Sequence, residues 1–222
     1  MDFTILTSFF EQKTAMEFMR LGIVYAHLIA CCVAIGMVLT SDVAMVKELL
    51  KGKHSHLQDN QHMEHLQKTV SAALTVLWIT GLAIIWVDIG DKGLSYLLNP
   101  KLQAKITIVM LLTFNGMLLH SLVLPALQKA GSLLKLEFNM RMFALFAGAL
   151  SGVSWFYAAM LGVGRPLSWK YSLIEILAAY PVLIVGGFMM MALLTQWAKN
   201  REESEGIPAN AYALRNSALA AW

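Results

Sequence analysis

Five long apolar runs, separated by short polar or Gly/Pro-marked stretches, dominate the chain. They cover roughly Leu21 to Val46, Val70 to Val87, Ala104 to Leu127, Met142 to Val163 and Leu173 to Trp197. A spanning helix needs about 20 mostly apolar residues. In hydrocarbon, helix is the state that satisfies every backbone polar group within one segment. The pattern therefore predicts an all-α integral membrane bundle of about five transmembrane helices. It forms one transmembrane domain over residues 1–198, followed by a cytoplasmic tail over 199–222.

The breaks between runs are polar or carry helix punctuation. Lys51 to Lys68 reads as a hydrophilic loop, and Asp88 to Lys101 contains Gly90, Gly93, Asn99 and Pro100. Pro100 predicts a helix start, because its fixed φ suits the first turn and its missing N–H costs nothing there. Gly162, Gly164 and Pro166 predict the end of the fourth helix. Before the first run, Phe3, Ile5, Leu6, Phe9 and Phe10 predict a short helix lying in the membrane interface. The charges Asp2, Glu11, Lys13, Glu17 and Arg20 do not fit a cleavable signal peptide. Asn210 to Trp222 is Ala-rich and predicts a peripheral helix.

Composition strengthens the membrane reading. Of 222 residues, 58% are hydrophobic and 14% charged, and mean hydropathy is +0.60. Soluble domains carry about 25% charged residues, so lipid is the expected solvent. The net charge of +3 is spread without a basic run, which excludes nucleic acid as a partner. Lysine and arginine set the orientation. Ten of them fall on the side of the first loop, third loop and tail, and seven on the other side. This predicts the N-terminus outside and the C-terminus in the cytoplasm, in a bacterial inner membrane. Gly148 and Gly152 form a small-xxx-small pattern for close helix approach, and Gly186 and Gly187 offer the same. Trp78, Trp86, Trp169 and Trp197 are expected as interfacial anchors.

Ionisable groups inside a span are costly and mark candidate sites. These are His27, Asp42, Lys105, His120 and Glu175. Asp42 and Glu175 lie near span ends and are expected as solvated or capped edge carboxylates. His27 lies about 10 Å beyond Arg20 at the helical rise, and Cys31 shares its face. An imidazole there is either hydrogen-bonded to a neighbour or a ligand to haem iron or another metal. His120 falls in the opposite half of its span. By the same rise, His27 lies about 6 Å above its span centre and His120 about 7 Å below its own. Two separate sites, or one axial histidine, are easier than one haem gripped by both. His54, His56, His62 and His65 in the first loop are candidate metal ligands, since neutral imidazole suits zinc, copper, nickel and iron. Cys31 and Cys32 are adjacent, and no disulfide framework is expected. No G-x-S-x-G, Walker A or H-E-x-x-H pattern appears.

Three stretches in the first 130 residues carry a resemblance: Tyr25-Ala26-His27-Leu28, Thr80-Gly81, and Asn99-Pro100-Lys101-Leu102-Gln103-Ala104-Lys105. Their order is similar to that in small helical membrane proteins of the HemJ-type protoporphyrinogen oxidase and CopD-type copper-resistance kind. The resemblance implies haem b, with His27 as ligand and Lys105 as the activity-linked lysine. Ser41-Asp42-Val43 stands where HemJ-type proteins carry an Arg-bearing aromatic motif.

Three functional readings follow. The first is a haem-b protein of electron transfer or haem-linked redox chemistry. In it His27 and His120 are cofactor ligands, Lys105 pairs with a propionate or quinone oxygen, and the partner is a quinone or a redox protein. The second is a permease or handling protein for copper or another divalent metal, collected by the loop histidines. The third is a non-catalytic subunit or scaffold in a homo- or hetero-oligomer.

Overall fold

A computed structural model describes residues 3–51 and 60–205 of the chain. The described residues are almost all helical and contain no strand. Five helical stretches are long and apolar enough to cross a membrane: Thr14–Lys47, Glu64–Lys92, Pro100–Ala130, Phe138–Val163 and Leu173–Arg201. The chain is a membrane-embedded all-α bundle. Its outer surface fits lipid: Phe18, Trp86, Ile174 and Leu193 all present their side chains outward.

The first helix, α1 (Phe3–Lys51), is unbroken. The separate interfacial helix expected at the N-terminus is therefore replaced by a continuous extension of the first span. No Pro or paired Gly interrupts residues 3–51, so nothing forces a corner there. α2 (Asn60–Lys92) returns antiparallel to it. Asp88 through Lys92, expected in a loop, continue α2 instead. A 3-10 turn (Leu94–Leu98) then leads to Asn99.

The third span is composite. α3 (Pro100–Leu118) begins at Pro100 as expected, with the Asn99 side chain accepting from the Lys101 N–H at 3.0 Å. A π-helical segment (Leu119–Val123) follows, and then α4 (Leu124–Ala130). Pro125 explains the π segment: it has no N–H for the Ser121 carbonyl, and its ring crowds that carbonyl. Gly131 ends α4 at φ 70, a left-handed conformation that glycine adopts without strain.

α5 (Phe138–Val163) is the central helix, packed on α3, α7 and α1. The fifth span is α6 (Leu173–Leu177) and α7 (Ala179–Glu205), broken at Ala178. Pro181 accounts for the break, since it cannot donate to the Leu177 carbonyl.

Lipid tails are as apolar as leucine, so helices hold together by close contact and internal hydrogen bonds rather than hydrophobic exclusion. The α1–α2 seam shows this: Ala30, Ala34 and Ala73 bring the backbones together against Leu77, Leu112 and Trp155. Gly187 on α7 packs on Ala149 and Val153 of α5, as expected for that helix. Gly152 does something different. It lies against the Asp42 carboxylate, whose Oδ2 would stand 3.6 Å from an added Cβ, an ordinary contact. Asp42 is thus half-buried and turned into the bundle, not out to water as its position predicted. Buried Asn115 donates to the Ala147 carbonyl at 2.8 Å, joining α3 to α5. Trp78 also departs from expectation. It sits mid-span and donates from Nε1 to Thr113 Oγ1 at 3.0 Å, so it links α2 to α3 rather than anchoring an interface.

Candidate functional site

The bundle has two ends. The end carrying the start of the first span holds Arg20 and Lys92, both bonded to Asp88, and a separate Asn99–Ser168 pair. The other end holds Leu50 and Arg201, with the Arg201 guanidinium donating to the Leu50 carbonyl at 2.6 Å.

His27 lies about two turns below Arg20, on the face of α1 that meets α2. Its Nδ1 is 2.7 Å from Thr80 Oγ1. Thr80 Oγ1 also stands 2.6 Å from the Val76 carbonyl, within its own helix. A hydroxyl has one hydrogen, and a carbonyl can only accept. Thr80 therefore donates to Val76, and both contacts are bonds only if His27 Nδ1 carries the proton and donates to Thr80. The consequence is a fixed tautomer: Nε2 of His27 carries the free lone pair. A ring nitrogen held by a backing hydrogen bond, with the other presented as a ligand, is the arrangement that orients metal-binding histidines. Gly81, the next residue, lies beside the ring; an added Cβ would stand 3.6 Å from Cε1, an ordinary contact.

Lys105 enters the same neighbourhood from α3. It is half-buried and faces the region of His27 and Cys31. The structure thus gathers His27, Cys31 and Lys105 with Thr80 and Gly81 behind them. Cys31 is half-buried and Cys32 exposed, and both are free thiols.

His120 is not part of this group. It lies fifteen residues beyond Lys105 along the third span, about 22 Å at the helical rise. It occupies the π segment, and its buried Nδ1 has no hydrogen-bond partner. His120 therefore lies in the other half of the third span from Lys105.

Of the loop histidines, His54 and His56 lie outside the described residues, as does the side chain of His62. His65 is exposed near the start of α2. Among the described residues, no group of three or more His, Cys, Asp or Glu side chains is placed to hold a metal ion. The Asn210–Trp222 segment also lies outside the described residues. Glu175 is exposed and caps α6: its carboxylate accepts from the Ser172 N–H at 2.8 Å, in a reciprocal box with the Ser172 side chain. It is a capped edge carboxylate, as expected.

Above His27 sits a polar cluster that sequence reading placed in a loop. Asp88 is almost fully buried and accepts from Arg20 Nε at 3.1 Å and Lys92 Nζ at 3.1 Å. Tyr96, in the 3-10 turn, also bonds to Asp88. Burial, and then that bond to a carboxylate, push the Tyr96 phenol up to about 12. The cluster ties α1, α2 and the turn together over the His27 side of the bundle.

Sequence reading missed Asn115 and Asp88, and it counted Arg20 and Arg141 only as topology charges. A polar residue inside an apolar run was a visible signal for Asn115. For Asp88 the signal was weaker, since only the antiparallel pairing of α1 and α2 brings Arg20 to it. No protein-family model, curated protein or solved structure matches this chain.

Proposed function

We propose that the chain is a membrane haem-b protein of electron transfer or haem-linked redox chemistry, in which His27 would hold the haem iron. The observation that supports this most is the Thr80 backing bond, which leaves Nε2 of His27 free as a lone pair inside a span. The residues fit the group. A neutral imidazole of fixed tautomer suits haem iron, and Lys105 supplies a cation for a propionate or a quinone oxygen. When bound, haem b supplies one-electron transfer. The chain's own part is to hold the imidazole, keep water out with the Ala30, Ala34 and Leu77 seam, and place the Lys105 charge beside the site. His120 is a separate ligand-capable imidazole, its unpartnered Nδ1 set in the π segment. π segments are frequent at functional positions.

The proposed setting is a bacterial inner membrane with the N-terminus outside and the C-terminus cytoplasmic, following the lysine and arginine bias. His27 and Lys105 then lie in the outer half, where a quinone or a protein redox partner can meet them. The test is a visible spectrum of the detergent-purified protein, produced with adequate haem supply, air-oxidised and then reduced with dithionite. A sharp Soret band with α and β bands on reduction supports the proposal. A featureless spectrum ends it.

A further inference from the structure

Arg141 presents a separate problem. It lies in the first turn of α5, three residues into the fourth span, and is 6% exposed. One Nη1–H reaches the Leu134 carbonyl at 3.4 Å, a long bond. Its Nε is buried with no partner at all. The Phe138 ring lies 5.8 Å from the guanidinium carbon. Among the described residues no carboxylate pairs with it; the nearby Glu137 is exposed and makes no ion pair.

A guanidinium cannot lose its proton in a protein, and burying a charge without a counter-ion is strongly unfavourable. The surroundings make this worse. The contacts to Leu134 and Phe138 turn the side chain back toward the start of α5. There the first N–H groups have no side-chain cap, and the helix dipole is positive. Exposed Lys129 and Lys135 stand on the adjoining α4 and turn. The result is a cation-rich, donor-rich corner at a membrane boundary, where among the described residues the long bond to Leu134 is the one acceptor Arg141 has and its Nε has none.

We infer that Arg141 and the start of α5 hold the phosphate of an anionic phospholipid. Lipid phosphates lie at the depth of helix ends and are present wherever this chain folds. Basic corners between transmembrane helices suit such headgroups. A phosphate oxygen accepts from the guanidinium edge with charge-assisted strength, and Lys129 and Lys135 add longer-range attraction. This site is independent of the haem reading.

The experiment uses the full chain in detergent, stripped of lipid and titrated with phosphatidylglycerol, phosphatidylcholine or inorganic phosphate, with thermal unfolding as readout. Phosphatidylglycerol is expected to bind about tenfold tighter than phosphatidylcholine, with a matching rise in melting temperature. Arg141→Met is expected to abolish that preference, and Arg141→Lys to retain part of it. Equal binding of the two lipids overturns the inference, as a partner subunit's carboxylate at Arg141 would predict. An unchanged preference in Arg141→Met also overturns it. So does an equal melting shift from inorganic phosphate, which would mean a simple anion site. If Arg141→Met does not fold, native mass spectrometry of the wild-type chain decides. Selective retention of phosphatidylglycerol supports the site, and retention without selectivity overturns it.

Discussion

At the scale of single residues, one hydroxyl decides the chemistry offered by His27. Thr80 has one hydrogen and spends it on the Val76 carbonyl, so the imidazole must donate through Nδ1. Thr80→Val keeps the shape and removes the acceptor. Backing bonds of this kind are worth about 10–100-fold in ligand affinity. The expected outcome is a loss of haem affinity of that order with the helical fold intact, checked by haem titration and circular dichroism. Asp88 is the second decisive residue. Asp88→Asn removes the carboxylate that Arg20 and Lys92 share. Both cations are about half-exposed and can return to water, so the expected cost is about 1–3 kcal/mol rather than that of a stranded buried charge. Chemical unfolding in detergent measures it.

Tyr96 gives the pH dependence. Its phenol sits at about 12 in the folded chain and at the ordinary value of 10.0 when unfolded. Below 10 both states keep the proton, and the stabilisation is complete. As pH rises from 10 toward 12, the unfolded chain binds fewer protons than the folded one, and stability falls. Tyr96→Phe removes this component, so its stability should change less over that window than the wild type's. A melting series from pH 9 to pH 12, about the accessible range, reads the difference; parallel curves contradict the account.

At the scale of elements, proline and glycine set the shapes. The start of α3 at Pro100 and the end of α5 at Val163 were legible because their signals are local. Pro125 and Pro181 also left visible marks, yet a break and a π segment both follow from a missing N–H, and the sequence does not choose between them. The glycines were legible as packing residues but not in their roles. Gly187 brings α7 onto α5, whereas Gly152 lies against a carboxylate from α1. Gly187→Ala adds a Cβ at 3.7 Å from Ala149, an ordinary contact, and should be nearly neutral. Gly187→Leu must push the helices apart, at about 1–3 kcal/mol. Thermal unfolding of the pair checks the contrast.

At the scale of the whole molecule, the five spans were readable because hydrocarbon permits little else than helix, so hydropathy alone carries the architecture. What hydropathy does not carry is which helix faces meet. Trp78 was expected at an interface because tryptophan favours one, but the pairing of α2 with α3 takes it to Thr113. Asp42 was expected to reach water because it lies near a span end, but it turns toward Gly152. Arg141 was one charge in a topology count until packing buried it. The placing of Lys105 and His120 in opposite halves of the third span, by contrast, was legible from the helical rise alone.

The most direct test of the account is the haem content of three detergent-purified samples: wild type, His27→Ala and His120→Ala. The account predicts a reducible haem-b spectrum in the wild type, its loss in His27→Ala with helicity unchanged, and at most a partial change in His120→Ala. A full spectrum surviving in His27→Ala would contradict the assignment of His27 as the ligand.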